Sequence, residues 1–238
     1  MNAIFLTLGP RDLPTIDGAA VVAERAGVPV DRVTRFEHLA ERALKKDEAV
    51  LAGLFDNGEE WVVGCTRPRA ARALLDFAGV EYRSKRITWL ALPFNRDDLK
   101  TEYGVPWYPV IDRSRCSGCG TCFEYCLFSV YSLSAAEKVS ERVRVTAPLN
   151  CKTGCPACAR LCPEGALLFP FCCESELNGE VEEPAHRTRE TLAVALGEDP
   201  MRVLDERRKK RRLIDPEKFD QAEKDRILYS GVMGKVKR

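Results

Sequence analysis

Histidine is scarce in this chain of 238 residues. The two histidines are His38 and His186, and neither lies near the cysteine-rich segment described below. Haem sites, Rieske clusters and zinc sites of mixed cysteine and histidine ligation commonly depend on imidazole ligands. The sequence therefore disfavours these three kinds of site, and any metal centre is expected to use other ligands.

Long apolar runs and a strong net charge are also missing. No stretch approaches the roughly 20 apolar residues that cross a bilayer. The N-terminal MNAIFLTLGP lacks the basic start and the apolar length of a signal peptide. A formal net charge of +1 gives no overall attraction to nucleic acid or to an anionic membrane. We therefore expect a cytoplasmic protein without a membrane segment, and nucleic acid is not an expected partner.

Motifs for nucleotide binding and for nucleophilic catalysis are absent from the sequence. No G-x-G-x-x-G follows the first predicted strand, and no G-x-x-x-x-G-K-[ST] occurs anywhere. No nucleophile–base pair is evident, and no group stands out for general acid–base catalysis. These gaps favour a non-catalytic protein or subunit over an enzyme with an active site of its own.

Cysteine, by contrast, is abundant, and eight of the eleven cysteines form two short runs. The first run has the spacing C-x2-C-x2-C-x3-C and consists of Cys116, Cys119, Cys122 and Cys126. The second has the spacing C-x3-C-x2-C-x3-C and consists of Cys151, Cys155, Cys158 and Cys162. In a cytosolic chain of this length, such runs indicate metal rather than disulfides. Soft thiolate ligands favour iron–sulfur clusters, zinc or Cu(I).

The first spacing, together with the Cys-Pro dipeptide that ends the second run, resembles the motif of bacterial-type (clostridial-like) ferredoxins with two 4Fe-4S clusters. The resemblance covers about residues 107–171, and it implies two strand–loop–helix–strand halves. It also implies crossed ligation. One cluster would be held by Cys116, Cys119, Cys122 and Cys162, and the other by Cys151, Cys155, Cys158 and Cys126. Because each half would supply ligands to both clusters, cluster binding and folding are expected to be coupled.

The two runs depart from the ferredoxin pattern in two places. The second run has three residues, not two, between its first two cysteines, and Leu127 rather than proline follows Cys126. The rival interpretation is a zinc ribbon with two C-x2-C pairs. Its ligands would be Cys116, Cys119, Cys155 and Cys158. It leaves half of the run cysteines without a role, so two 4Fe-4S clusters are favoured. We interpret Cys172 and Cys173 as ordinary, non-ligand cysteines.

Residues 1–95 alternate predicted strands with predicted helices, which indicates a small α/β domain with a parallel sheet. The predicted strands are Ala3–Leu8, Val30–Val33, Trp61–Gly64 and Ile87–Leu92. The predicted helices are Asp17–Ala26, Phe36–Lys46, Ala49–Phe55 and Pro68–Phe77. Ligands in such folds bind beyond the carboxyl ends of the strands. Without a nucleotide motif, a docking or scaffold role is favoured, and a flavin or nucleotide site is the alternative.

Cys65 is the chemically suggestive residue of this half, because it lies between the third predicted strand and the helix that begins at Pro68. A helix N-terminus lowers the pKa of a thiol, and Arg67 and Arg69 would add to that effect. Cys65 is therefore a candidate reactive thiol. The favoured alternative is a small, partly buried residue at a strand end.

A charged stretch at residues 96–106 is predicted to link the α/β domain to a ferredoxin-like domain of residues 107–173. That domain contains an internal repeat, since Val110 and Val145 each precede the first cysteine of a run by six residues. The elements predicted in it are a strand over Trp107–Ile111, helices over Thr121–Cys126 and Ala157–Cys162, and a hairpin formed by Val130–Leu133 and Arg142–Val145.

Residues 174–238 are predicted to form a charged tail that is helical or partly disordered. Its first part, Glu174–Glu183, is acidic and is interpreted as a solvated linker. Short helices are predicted over Thr188–Leu196, Pro200–Ile214 and Glu217–Tyr229. The basic run Arg207–Arg212 has no interleaved aromatic residues. A solvated helix face, or docking on an acidic redox partner, is therefore favoured over nucleic-acid binding.

The sequence as a whole predicts electron transfer through two 4Fe-4S clusters. The protein would be a ferredoxin-like carrier or the iron–sulfur subunit of a cytoplasmic oxidoreductase complex. The flanking regions favour the subunit, because a free ferredoxin needs neither. One alternative is a redox enzyme whose N-terminal domain binds a flavin or nucleotide or uses Cys65. Another is a redox-sensing regulatory protein that binds nucleic acid through its basic tail.

Overall fold

The computed structural model describes residues 1–10, 12–56, 58–99 and 106–186, together with Arg202 and Glu206. Met1–Arg187 form one unit and Thr188–Arg238 another. The three predicted tail helices and the basic run lie outside the described residues, apart from Arg202 and Glu206, which are helical. Among the described residues, no helix has the length and apolar character needed to cross a membrane.

A parallel four-stranded sheet, in the strand order β2-β1-β3-β4, organises residues 1–99, called here the α/β half. Its strands are β1 (Asn2–Leu6), β2 (Thr34–Phe36), β3 (Glu60–Cys65) and β4 (Arg86–Ala91). Its helices are α1 (Gly18–Ala26), α2 (Leu39–Lys45), α3 (Glu48–Leu51) and α4 (Pro68–Ala78). The predicted α/β class with a small parallel sheet is confirmed.

Helices cover both faces of the sheet. Because successive strand residues point to opposite sides, each strand contributes side chains to two cores. Ala3 and Val62 belong to the core that α1 covers. Ile4 and Val63 belong to the larger core that includes residues of α2 and α4. Burial on both faces explains why the central strands β1 and β3 are nearly continuous apolar runs rather than alternating ones.

Helix α1 begins and ends where its caps predict. The Asp17 carboxylate accepts hydrogen bonds from the backbone N–H groups of Ala19 and Ala20, at 3.1 and 3.2 Å. Gly27 ends the helix with a φ of 66°, in the left-handed region that glycine adopts without strain. Local sequence therefore determines this element.

The second predicted strand, Val30–Val33, is wrong. Val30–Arg32 form a short 3-10 helix after Pro29, and Val30 is 45% exposed. The strand is β2, whose Phe36 reaches the core and pairs with Leu6 of β1. The following helix, predicted from Phe36, begins only at Leu39, because His38 has a left-handed φ of 61° that interrupts the helical backbone.

Residues 106–186, called here the cysteine-rich half, contain two small antiparallel sheets. In one, β5 (Val110–Ile111) pairs with β8 (Leu167–Leu168). In the other, β6 (Tyr131–Leu133) pairs with β7 (Val143–Val145), which confirms the predicted hairpin. The short helices are α5 (Thr121–Tyr125), α6 (Ala157–Arg160) and α7 (Ser175–Asn178).

The two halves share one hydrophobic core. Val110, Leu168 and Phe171 of the cysteine-rich half are buried in the same cluster as Ile4 and Leu74 of the α/β half. A second cluster lies within the cysteine-rich half and includes Tyr131, Cys158 and Cys162. The cysteine-rich half therefore packs on the α/β half through the first cluster and around its own cysteines through the second.

Candidate metal–sulfur site

Four cysteines from the two runs meet at one small cavity beside β8. The cavity is lined by three cysteines of the first run and by the last cysteine of the second. This first cysteine group consists of Cys116, Cys119, Cys122 and Cys162. Other walls of the cavity are apolar side chains, among them Ile111 and Leu167. The structure thus brings together the four cysteines that the crossed pattern assigns to one cluster.

The loop that carries this group is shaped by glycine. Gly118 and Gly120 have φ values of 65° and 79°, which glycine adopts far more readily than other residues. A Cβ atom on Gly118 would lie 2.2 Å from the backbone oxygen of Val139. Only glycine therefore lets this loop approach the segment before β7 while turning between Cys116 and Cys119.

Backbone N–H groups point at the sulfur atoms of the first group. The N–H of Ala166 donates to Cys162 Sγ at a donor–acceptor distance of 3.3 Å. Burial raises the pKa of the Cys162 and Cys116 thiols, and backbone N–H groups, including that of Gly118 at Cys116, oppose the rise. These N–H groups stabilise the thiolate form, as backbone nests do in iron–sulfur sites.

The remaining run cysteines are called here the second cysteine group and consist of Cys126, Cys151, Cys155 and Cys158. The two groups are neighbours, because the charge of Cys158 also raises the pKa of Cys122. The pKa of the Cys151 thiol is raised to about 12, first by burial and then by the charges of the other three. Burial, opposed by a hydrogen bond from Tyr131, also raises the pKa of Cys158 to about 12, with Cys126 and Cys155 adding to the rise. Ionising such thiols together requires a compensating metal charge.

The donor set fits the clusters that the sequence implies. All eight side chains are thiols, which are the ligands of cubane iron–sulfur clusters. The first group has apolar walls and sulfur-directed N–H groups, which suit an anionic cluster. Within the described ranges, no three or more His, Cys, Asp or Glu side chains are grouped so as to hold a single metal ion.

A tyrosine hydroxyl is a functional contact that the sequence reasoning missed. Tyr131 Oη donates to Cys158 Sγ at 3.0 Å, and the side chain is buried in β6. Burial, followed by the charges of Cys158, Cys122 and Cys126, raises the pKa of Tyr131 well above its usual value. The hydroxyl therefore keeps its proton and remains a donor. The signal in the sequence was its place, five residues after Cys126.

The other three cysteines have different surroundings. Cys65 ends β3 and is fully buried. Burial, with a further contribution from Asp12, raises the pKa of its thiol, which is the opposite of the lowering that a reactive thiolate needs. Burial also raises the pKa of Cys172, whereas Cys173 is exposed. None of the three lines the cavity of the first group.

The carboxyl edge of the parallel sheet is filled by protein side chains. The strand order changes direction between β1 and β3, and that is where ligands bind in open α/β sheets. A Cβ atom on Gly9, just after β1, would lie 2.6 Å from the ring of Phe171. Asp12 accepts hydrogen bonds there from Thr66 Oγ1 and Arg67 Nη2, at 2.6 and 2.7 Å. The cysteine-rich half thus fills, through Phe171, the place where a nucleotide would bind.

Two buried arginines at the start of α4 connect the halves. Arg67 donates to the backbone oxygens of Pro170 and Asn178. Arg69 donates to the Asp112 carboxylate at 2.7 Å and to two backbone oxygens, those of Gly165 and Val181. The backbone oxygen of Asp112 in turn accepts from the N–H of Cys116 at 3.1 Å. Arg69 therefore reaches the base of the first cysteine loop.

The prediction that Glu174–Glu183 is a solvated linker is wrong. The segment contains α7, whose Leu177 and Asn178 are buried. Its carboxylates pair with the α/β half, since Glu180 lies 2.6 Å from Arg96 and Glu182 pairs with Arg72. The acidic residues of this segment pair with arginines of the α/β half that are distant in sequence, so the pairing is evident only from the structure.

Part of the chain is similar in sequence to known electron-transfer proteins. No protein-family profile and no solved structure matches it. It is 36% identical over 78 residues to Ferredoxin-3 of Nostoc sp. (strain PCC 7120 / SAG 25.82 / UTEX 2576), covering 26% of this chain and 79% of the relative. It is 33% identical over 88 residues to the thiosulfate reductase electron transfer subunit PhsB of Salmonella typhi, covering 36% of this chain. The chain spans 46%, about half, of the length of PhsB. Since most of Ferredoxin-3 is matched, the chain belongs, through this part of its sequence, to the bacterial-type ferredoxin family.

Proposed function

We propose that this protein transfers electrons through two 4Fe-4S clusters and serves as the iron–sulfur subunit of a cytoplasmic oxidoreductase complex. The observation that carries the proposal is the cavity lined by Cys116, Cys119, Cys122 and Cys162, because it joins cysteines from both runs. When bound, a 4Fe-4S cluster supplies reversible one-electron chemistry. The chain supplies thiolates, N–H donors to sulfur and apolar walls that limit access of water.

The attachment of the α/β half supports a subunit over a free carrier. Arg67 and Arg69 are buried between the halves, and each donates to backbone oxygens of the cysteine-rich half. A mobile carrier gains nothing from such a fixed second half, whereas a subunit can use it as a base in a larger assembly. PhsB, one of the relatives, is named as an electron transfer subunit. We therefore infer an oxidoreductase as the partner.

A flavin or nucleotide site in the α/β half is the weaker proposal. The carboxyl edge of β1 and β3 is closed by Asp12, Arg67 and Phe171. Cys65, the candidate reactive thiol, is buried with a raised pKa. A role in binding nucleic acid would rest on Arg207–Arg212, outside the described residues.

Iron and sulfide analysis of anaerobically reconstituted protein tests the clusters. We expect about eight iron atoms and about eight sulfides per chain, and fewer than about six irons would contradict two full clusters. If four thiolates held zinc instead, the analysis would find stoichiometric zinc and no sulfide. A Cys173→Ser variant is the matched control, because this exposed cysteine lies in neither cysteine group.

Anaerobic affinity purification from the native host tests the subunit role. Recovery with an oxidoreductase in fixed stoichiometry, and reduction of the recovered protein by that enzyme's substrate, are expected. Recovery of the chain alone, still able to exchange electrons with several partners, would favour a free carrier instead.

A further inference from the structure

The two halves of the internal repeat place different side chains at equivalent positions. Tyr131 lies five residues after Cys126, and Leu167 lies five residues after Cys162. Each residue opens a short strand, β6 or β8. The Leu167 side chain lines the cavity of the first cysteine group and consists only of carbon, while its backbone N–H hydrogen-bonds to Cys162. Tyr131 presents a hydroxyl to a sulfur of the second group.

The tyrosine hydrogen bond is fixed in direction and shielded from water. Tyr131 Oη lies 3.0 Å from Cys158 Sγ, and the side chain is 4% exposed. When Cys158 binds iron it is a thiolate and can only accept, so the hydroxyl is then the donor. The backbone of Tyr131 is held by its pairing with Val145 in β7. The pairing fixes the strand from which the hydroxyl reaches Cys158.

The first cysteine group has a weaker counterpart of this contact. Thr121 Oγ1 lies 3.3 Å from Cys119 Sγ, where either atom can donate. Cys119 is exposed, so water competes for both atoms. The side-chain donors of the two groups therefore differ, with a buried, short bond at Cys158 and a longer, solvated one at Cys119. The buried contact that the first group does have comes from the backbone, since the N–H of Ala166 donates to Cys162 Sγ.

We propose that Tyr131 is a positioning residue that raises the reduction potential of the cluster held by the second cysteine group. The inference rests on the proposed function. Reduction adds negative charge to a cluster and its thiolates, and a hydrogen bond to a thiolate is stronger when the acceptor is more negative. Hydrogen bonds to the sulfurs are among the factors that set cluster potentials. The Tyr131 hydroxyl therefore stabilises the reduced form of the cluster beside it.

The test is a Tyr131→Phe variant of the full chain, reconstituted anaerobically and titrated with both cluster potentials followed by electron paramagnetic resonance. We expect one of the two potentials to fall while the other stays unchanged. Loss of a charge-assisted hydrogen bond predicts about a tenfold change in the reduced-to-oxidised ratio, which is about 59 mV for one electron.

Tyr108→Phe is the matched control for loss of a buried hydroxyl. Tyr108 is 2% exposed, and its hydroxyl donates to the backbone oxygen of Ala40 rather than to a sulfur. This variant should lose stability and leave both potentials unchanged. Unchanged potentials in Tyr131→Phe, or equal shifts of both, would overturn the inference.

A near-isosteric replacement keeps the test open if the phenylalanine variant fails to load. Site-specific 3-fluorotyrosine at position 131 is a stronger donor of nearly the same size. It should raise one of the two potentials and leave the other unchanged, and no rise would overturn the inference. Failure of the proposed function is seen separately, since the unsubstituted protein would then lack two reducible clusters. Two intact clusters with no response to either change at position 131 would reject only the role of Tyr131.

Discussion

Removal of Arg69 should destabilise the cluster-loaded protein far more than removal of a surface arginine. Arg69→Met keeps much of the apolar stem but deletes the guanidinium. The Asp112 carboxylate, 2.7 Å away, then loses its buried cationic partner. The side chains of Arg69 and Asp112 are only 1% and 11% exposed, so water cannot replace the lost contact. The oxygens of Gly165 and Val181 also lose a donor.

The expected magnitude follows from this burial. Breaking a buried ion pair by removing one partner costs about 3–5 kcal/mol, because it leaves a charge without compensation. Burial raises the pKa of Asp112, but hydrogen bonds from Ser114 and Arg69 outweigh it and hold the pKa below its usual value. The carboxylate is therefore charged at neutral pH and bears the full loss. Arg86→Met is the control, since its pair with Glu60 is 77% and 48% exposed and should contribute less than about 1 kcal/mol.

Urea unfolding under anaerobic conditions measures both variants, with far-ultraviolet circular dichroism for the chain and visible absorbance for the clusters. A double variant, Arg69→Met with Asp112→Asn, should recover part of the loss, because it removes the uncompensated charge. A loss below about 1 kcal/mol in Arg69→Met, similar to that of Arg86→Met, would refute the reasoning that a buried arginine holds the halves together.

Three further experiments test other parts of the structure. Cys162→Ser should remove the cluster of the first cysteine group, and Cys126→Ser should remove that of the second, as measured by iron content and electron paramagnetic resonance. Loss of the second cluster in Cys162→Ser and of the first in Cys126→Ser would contradict the crossed pattern. Gly9→Ala should lower the urea midpoint, because its Cβ would lie 2.6 Å from the Phe171 ring. In a Phe171→Leu background the same substitution should lower the midpoint less, and additive effects of the two substitutions would argue against the contact. Cys65, fully buried, should be alkylated in the native protein far more slowly than exposed Cys173, by mass spectrometry, and equal rates would contradict its burial.

The sequence predicts the elements whose causes are local. The caps of α1 at Asp17 and Gly27 need only neighbouring backbone atoms, so the sequence is sufficient there. The cysteine spacings limit which thiols within one run can meet, because a loop of two or three residues leaves little freedom. The meeting of Cys162 with the first run is implied by the ferredoxin resemblance and not by spacing. Strand β2 was misplaced because Val30 is apolar but has no core to enter.

The contacts between the halves were not predictable from residue type. Arginine is seldom buried. The sequence therefore predicts that the charges of Arg67 and Arg69 lower the pKa of Cys65, and it gives no sign of their buried hydrogen bonds to the cysteine-rich half. Their main-chain acceptors, in residues 165–181, are roughly a hundred positions along the chain, and a carbonyl carries no sequence signal. Tyr131 was missed for a similar reason, since its partner Cys158 follows it by 27 residues.

The filled sheet edge explains why a parallel sheet of this kind lacks a nucleotide motif. Asp12, Thr66 and Arg67 stand where such sheets present groups to a ligand, yet their hydrogen bonds are made within the protein. Arg67 extends this network to Pro170, eight residues beyond Cys162. The groups that would have faced a cofactor instead hold the chain that follows the last cysteine. The α/β half therefore holds the residues that follow the last cysteine through buried hydrogen bonds, and this edge of the sheet is closed to a ligand.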